Sequence, residues 1–218
     1  MSAKVSVGIV DTGVSNAFNV AEALRSVGGD VKIVSDSGEM SRYDRLVIPG
    51  VGSYSPAMLH LEKMGLCSDI LEFASSDKPI LGICLGMQLF MDKGLENGNI
   101  SGLGIVGGTV IPISSLLVKG QKKRVPHIGW SKVHGPKTQK AINGIGGRHT
   151  ANDFYFTHSY TVALDDREIR SGLVDYAGLS LVAVFQKTNI LGVQFHPELS
   201  GPNGLRFLSQ FLSDEHTR

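Results

Sequence analysis

Two short stretches of this sequence carry residue types that could do chemistry together. The first is Gly82-Ile-Cys84-Leu-Gly86, which closes the apolar run 79–83 and opens a helical pattern at Leu85. A nucleophile on a sharp strand-to-helix bend is held in a strained backbone conformation, and small residues two before and two after it remove the clashes. A thiol there sits at the positive end of a helix, which favours the thiolate. The Leu85 N–H points where an oxyanion would form. A buried structural cysteine in a glycine-rich turn would show the same five residues, so the pentapeptide alone does not decide. The second stretch is Gly192-Val-Gln-Phe-His196-Pro-Glu198, in which His196 stands 196 − 84 = 112 residues after the cysteine. A cysteine nucleophile needs a general base that can later protonate the leaving group, and imidazole does both. Glu198 lies two residues further on as an orienting carboxylate, with Pro197 stiffening the link. A lone His before Pro reads as a strand-end surface residue. With the elbow and a nearby acid in one chain, the triad Cys84, His196 and Glu198 is the better reading, although sequence separation does not show that they meet.

These groups need a scaffold. Val5–Val10, 31–34, Arg45–Ile48 and 79–83 read as strands, and 15–27, 57–63, 67–75 and a segment opening at Leu85 read as helices. Alternating strands and helices predict an α/β fold with a doubly wound, mostly parallel sheet and helices on both faces. Its site should lie beyond the carboxyl ends of the strands. Pro49-Gly50-Val51-Gly52 follows one such end, so its backbone amides can face the same crevice and supply a second oxyanion donor. Without the cysteine elbow it would read as a plain turn. After about residue 105 the pattern changes to short strand-like runs at 104–113, 130–133, 153–156, 157–162, 181–185 and 191–195, which predicts antiparallel pairs. The segment 114–126 reads as a basic loop, 204–212 as a last amphipathic helix and 213–218 as a frayed tail. No internal repeat or interdomain linker stands out, so one domain over 1–218 is expected.

Composition narrows the partners. The 218 residues are 42% hydrophobic and 19% charged, ordinary for a globular protein, and a net charge of +1 makes no case for nucleic acid or an anionic membrane. The 27 glycines exceed the usual ~7% and foretell tight turns. Two cysteines, Cys67 and Cys84, make no disulfide framework, which points to a reducing cytoplasm. The apolar run before Asp11 is too short for a signal-peptide core, and no stretch reaches the ~18 apolar residues of a membrane span. No cluster has metal-ligand spacing and no glycine-rich loop matches a phosphate or dinucleotide fingerprint, so neither metal nor cofactor is expected.

Taken together, Pro-Gly-Val-Gly at 49–52, Gly-Ile-Cys-Leu-Gly-Met-Gln at 82–88 and Gln-Phe-His-Pro-Glu at 194–198 resemble the class I, triad-type glutamine amidotransferases, in their order and spacing. The resemblance implies Cys84 as nucleophile, His196 as general base and acid, Glu198 as its holder, and a γ-glutamyl thioester. It implies an oxyanion hole from Val51 and Leu85, and glutamine held by Gly50, Gly52, Gln88, Ser159 and Tyr160. Pro126-His-Ile-Gly-Trp130, Phe154-Tyr-Phe-Thr-His-Ser-Tyr160, Asp11-Thr-Gly-Val-Ser-Asn16 and 50–58 are similar to the glutaminase subunit of imidazole glycerol phosphate synthase. That implies a heterodimer with a (β/α)8-barrel cyclase subunit, an L-glutamine substrate, and a partner interface near His127, Trp130 and Tyr155. Leu199 replaces the usual basic residue after His-Pro-Glu, Ser131 the usual Asn after Gly-Trp, and Ser15 the usual first-loop glycine. Two other readings stay open: a paralogue feeding ammonia to a related barrel protein in surface-polysaccharide sugar synthesis, and a stand-alone cysteine hydrolase. Among the remaining candidates, His158 reads as structural, Cys67 as inert, and His134, His149 and His216 as solvated. Trp130, His127 and Tyr155 are divided between core packing and partner contact.

Overall fold

The computed structural model describes residues 4–14, 16–117, 125–135 and 152–213. Expectations for Ser15, His149, His216, the basic run 119–124 and the last five residues fall outside these. The first half runs β1 (Ser6–Val10), α1 (Ala17–Ser26), β2 (Asp30–Val34), β3 (Arg45–Ile48), α2 (Tyr54–Lys63), α3 (Leu66–Ser75), β4 (Ile80–Ile83) and α4 (Leu85–Leu89). The second half runs β5 (Lys93–Gly94), β6 (Ile100–Ser101), β7 (Gly108–Pro112), β8 (His127–His134), β9 (Asp153–His158), β10 (Tyr160–Leu164), β11 (Arg170–Tyr176), β12 (Leu179–Lys187), β13 (Ile190–Val193) and α5 (Gly201–Leu212).

Nine strands form one sheet in the order β2-β1-β3-β4-β13-β12-β11-β8-β9. The five from β2 to β13 are parallel and the remainder antiparallel. Every residue of β3, β4 and β13 is buried, which is why these strands, Arg45 apart, read as continuous apolar runs rather than alternating ones. Each sheet face carries its own core. Val20, Leu24, Phe207, Phe211 and their neighbours bind α1 and α5 to one face, and Met58, Leu61, Ile70, Phe73 and Phe90 bind α2, α3 and α4 to the other. A small second sheet, β10-β7-β5-β6, packs beside the latter.

Several elements depart from the sequence reading: β8 begins at His127 rather than 130, α5 at Gly201 rather than 204, and β5 and β6 were not expected. The runs expected to part between 156 and 157 part at Ser159, because β9 pairs with β8 up to His158 while β10 leaves to pair with β7. Strand β11 was not expected. Gly172 interrupts its alternation, and a register irregularity sits between Gly172 and Leu173. His134 lies at the end of β8 rather than in a turn, exposed, with its Nε2 3.2 Å from Asp175.

Candidate active site

Strands β4 and β13 lie side by side in parallel, with Ile83 opposite Val193. Cys84 and His196 follow their carboxyl ends, so parallel pairing closes the gap of 112 residues. Cys84 caps α4 with φ 51° and ψ −106°, a conformation that costs a non-glycine residue ~1–3 kcal/mol and is held by its surroundings. Its N–H donates to Val193 O at 2.7 Å. The two flanking glycines are needed for contact rather than flexibility. A Cβ on Gly86 would stand 1.8 Å from Ile48 O, and one on Gly82 would stand 2.6 Å from the Phe90 ring and 2.7 Å from Gly86 C. Glycine therefore lets α4 rest directly on the end of β3.

His196 Nδ1 and Glu198 Oε1 are 2.8 Å apart, with both side chains almost fully buried. His196 N–H donates to Tyr155 O at 2.9 Å, and Ser200 Oγ accepts from Tyr155 N–H at 3.0 Å while donating to His196 O. The turn carrying His196 and Glu198 is thus pinned to β9. Burial alone would lower the His196 pKa. Hydrogen bonding to Cys84 and to Glu198, with their negative charge, overcomes that and raises it to about 10. With Nδ1 on Glu198, Nε2 is the ring nitrogen left for Cys84, and it has no further hydrogen-bond partner among the described residues. The imidazolium form is favoured at neutral pH.

A cavity of ≈ 300 Å³ opens over the cysteine, at the small end of ligand sites. Val51, Gly52, Cys84, Leu85, Gln88, Ser159 and Tyr160 all line it, and Gly50 packs directly against Leu85. Gln88 donates from Nε2 to Tyr160 O at 3.3 Å and to Gln194 Oε1 at 3.0 Å. Both of its N–H bonds are used, so only its oxygen is left to face a ligand. Sequence reasoning missed two groups here. Glu96 is the one carboxylate among the lining residues, but it sits in an unremarkable turn sequence. Gln194 lies inside the His-Pro-Glu motif and donates to Cys84 Sγ at 3.5 Å.

The two expected oxyanion donors reach the cavity with their N–H groups engaged elsewhere. Val51 N–H donates to Val14 O at 3.2 Å and Leu85 N–H to Gly50 O at 3.4 Å. Both bonds involve a single peptide unit, since Gly50 C=O and Val51 N–H belong to the same plane.

The expected interface residues divide. Trp130 is 57% exposed, as is its neighbour Ile128 at 59%. Tyr155 meets Trp130 edge to face at 6.1 Å. His127 is buried, because alternation along β8 turns it inward when Ile128 and Trp130 turn out. Its ring lies between Phe156 and Tyr176 and bonds to His158 Nε2 at 3.0 Å and to Ser131 Oγ at 2.9 Å. Ser131 likewise faces inward. Burial lowers the pKa of both His127 and His158 to about 4, which keeps the pair neutral. Cys67 is half-buried on α3 with its pKa raised by burial, an unreactive setting. Among the described residues, no group of three or more His, Cys, Asp or Glu side chains is arranged to hold a metal ion, and no helix is long and apolar enough to cross a membrane.

A doubly wound sheet with Cys, His and Glu at the ends of adjacent parallel strands is the arrangement of a triad amidotransferase. The family model for glutamine amidotransferase class-I matches residues 8–214, and the chain belongs to that family. Within it, the chain is 37% identical over 205 residues to the imidazole glycerol phosphate synthase subunit HisH of Desulfitobacterium hafniense, covering 94% of this chain and 92% of that one. It is 38% identical to HisH 1 of Legionella pneumophila, covering 95% and 98%. It is also 37% identical to the chloroplastic hisHF protein of Arabidopsis thaliana, covering 94% of this chain but 34% of that longer one. Among solved structures, PurLQS from Thermotoga maritima superposes with a TM-score of 0.72 at 18% identity, covering 96% of this chain and 98% of that one, a likeness of fold alone.

Proposed function

We propose that this chain, acting as one domain over 1–218, is the glutaminase subunit of an imidazole glycerol phosphate synthase. The observation that carries the chemistry is the contact of His196 with both Cys84 and Glu198, with Cys84 lining a cavity sized for a small amino acid. The Cys84 sulfur attacks the carboxamide carbon of L-glutamine, and the C=O electron pair moves onto oxygen. His196 gives its proton to the amide nitrogen, the C–N bond breaks, and ammonia leaves a γ-glutamyl thioester. Water, deprotonated by the now neutral His196, then attacks the thioester carbon; the C–S bond breaks, glutamate leaves, and the free sulfur and the protonated His196 are restored. Glu198 holds the ring and stabilises its charge throughout. Glu96 suits the α-ammonium of glutamine, and the free oxygen of Gln88 suits an N–H donor.

The resting peptide between Gly50 and Val51 supports a need for activation. One turn of that peptide would release Val51 N–H from Val14 and Leu85 N–H from Gly50 together, leaving two donors for the oxyanion. The partner proposed to drive it is the (β/α)8-barrel cyclase subunit, receiving ammonia and making imidazole glycerol phosphate and AICAR. Support for its docking face comes from Ile128, Trp130 and Leu199, the last 42% exposed, which present apolar surface beside the pinned His196 turn. Replacing Cys84 by Ala is expected to abolish glutamine-dependent synthesis by the assembled enzyme while synthesis from ammonium salts continues. Retained glutamine turnover would remove the nucleophile assignment, and turnover on amides by the chain alone would favour a stand-alone hydrolase.

A further inference from the structure

Gln194 follows β13 two residues before His196, and no part of it reaches solvent. A buried amide lowers stability unless its polar atoms find partners, and at this position each end has one. Oε1 accepts from Gln88 Nε2 at 3.0 Å, and Nε2 donates to Cys84 Sγ at 3.5 Å. The direction of this chain is set by a backbone carbonyl. Tyr160 O can only accept, so the nitrogen of Gln88 must lie on it, at 3.3 Å. The second N–H of Gln88 then points at Gln194, whose oxygen must face it and whose nitrogen is left for the sulfur. Reversing either amide would set like against like at the other contact. His158 Nδ1 also donates to Tyr160 O, at 2.7 Å, holding the anchor from behind.

We propose that Gln194 is a positioning residue for the nucleophile. Its N–H holds the Cys84 sulfur beside His196 and supports negative charge there. Its oxygen keeps Gln88 turned so that the Gln88 oxygen faces the substrate. Among the described residues, the sulfur's other polar neighbour outside the triad is Thr157 O at 4.0 Å, an acceptor that gives no such support. This role rests on the glutaminase reading, and the experiment separates the two.

Gln194→Glu keeps size and an oxygen for Gln88 but puts an anion where the sulfur's donor was. Gln194→Met keeps volume and removes both amide functions. Both are assembled with the barrel partner and compared with the unmodified enzyme. Gln194→Glu is expected to lower kcat for glutamine about 10- to 100-fold, the worth of one charge-assisted hydrogen bond, with KM within about threefold. Alkylation of Cys84 by iodoacetamide, followed on the Cys84 peptide by mass spectrometry, slows by a similar factor. Gln194→Met slows alkylation likewise and also raises KM, because Gln88 is released. Synthesis from ammonium salts is unchanged in both. Wild-type alkylation rates in either folded variant would reduce Gln194 to packing and overturn the proposal. If the unmodified pair failed to use glutamine while the alkylation contrast remained, the glutaminase reading would fall and the placing of the sulfur by Gln194 would stand.

Discussion

Gly86→Ala tests the elbow through a distance that the structure supplies. The new Cβ would lie 1.8 Å from Ile48 O, where contacts under 3.0 Å are essentially never tolerated, so α4 must retreat from β3 by at least 3.0 − 1.8 = 1.2 Å. The obstacle is a backbone carbonyl inside a paired strand, not the free end of a side chain. Helix α4 carries Cys84 at its cap, the Leu85 amide and Gln88, so all three move together. A misplacement on the order of 1 Å in reacting groups costs roughly 100-fold in rate, and overpacking of this kind costs about 1–3 kcal/mol of stability. Glutamine hydrolysis by the partner-bound enzyme should therefore fall about 100-fold, with synthesis from ammonium salts retained and a lowered melting temperature. Gly107→Ala is the control, since its Cβ would meet nothing closer than 3.8 Å and its backbone is not in the left-handed region. A Gly86→Ala enzyme with wild-type kcat/KM for glutamine and an unchanged melting temperature would refute the close-approach argument.

Three further outcomes follow from the same geometry. Glu198→Gln removes one of the two bonds that raise the His196 pKa. It should lower kcat about 10- to 100-fold and move the pH profile of glutamine turnover to lower pH, and an unmoved profile would count against the role of Glu198. His158 is held neutral with its pKa depressed from 6.5 to about 4. The unfolded chain therefore binds this proton first, and stability present above pH 6.5 is lost as pH falls towards 4, by about 3 kcal/mol. Urea midpoints measured across that window should decline less steeply in His158→Gln, and an identical decline would show that the histidine is not responsible. Trp130→Ala should weaken binding of the barrel partner about 10- to 100-fold in a titration while leaving the melting temperature unchanged, and unaltered affinity would move the docking face elsewhere.

What the amino-acid order determined by itself was largely local. The apolar runs that became β1, β3, β4 and β13, the helical spacing of α1 and α5, and the glycines flanking Cys84 are all properties of neighbouring residues. So are the chemical types of the reactive groups and the order in which they come. Even β11 escaped, because Gly172 breaks the only signal available to a short strand. What tertiary structure alone decided concerns partners far apart in the chain. The parallel pairing of β4 with β13 brings Cys84 to His196, and the inward turn of β8 buries His127. The same distance hides the contact of Gln194 with Cys84, the place of Glu96 in the cavity and the engagement of Val51 N–H by Val14 O. A hydrogen bond across 37 or 110 residues leaves no periodic trace in sequence. It exists only where the folded backbone sets a donor and an acceptor within about 3 Å of each other.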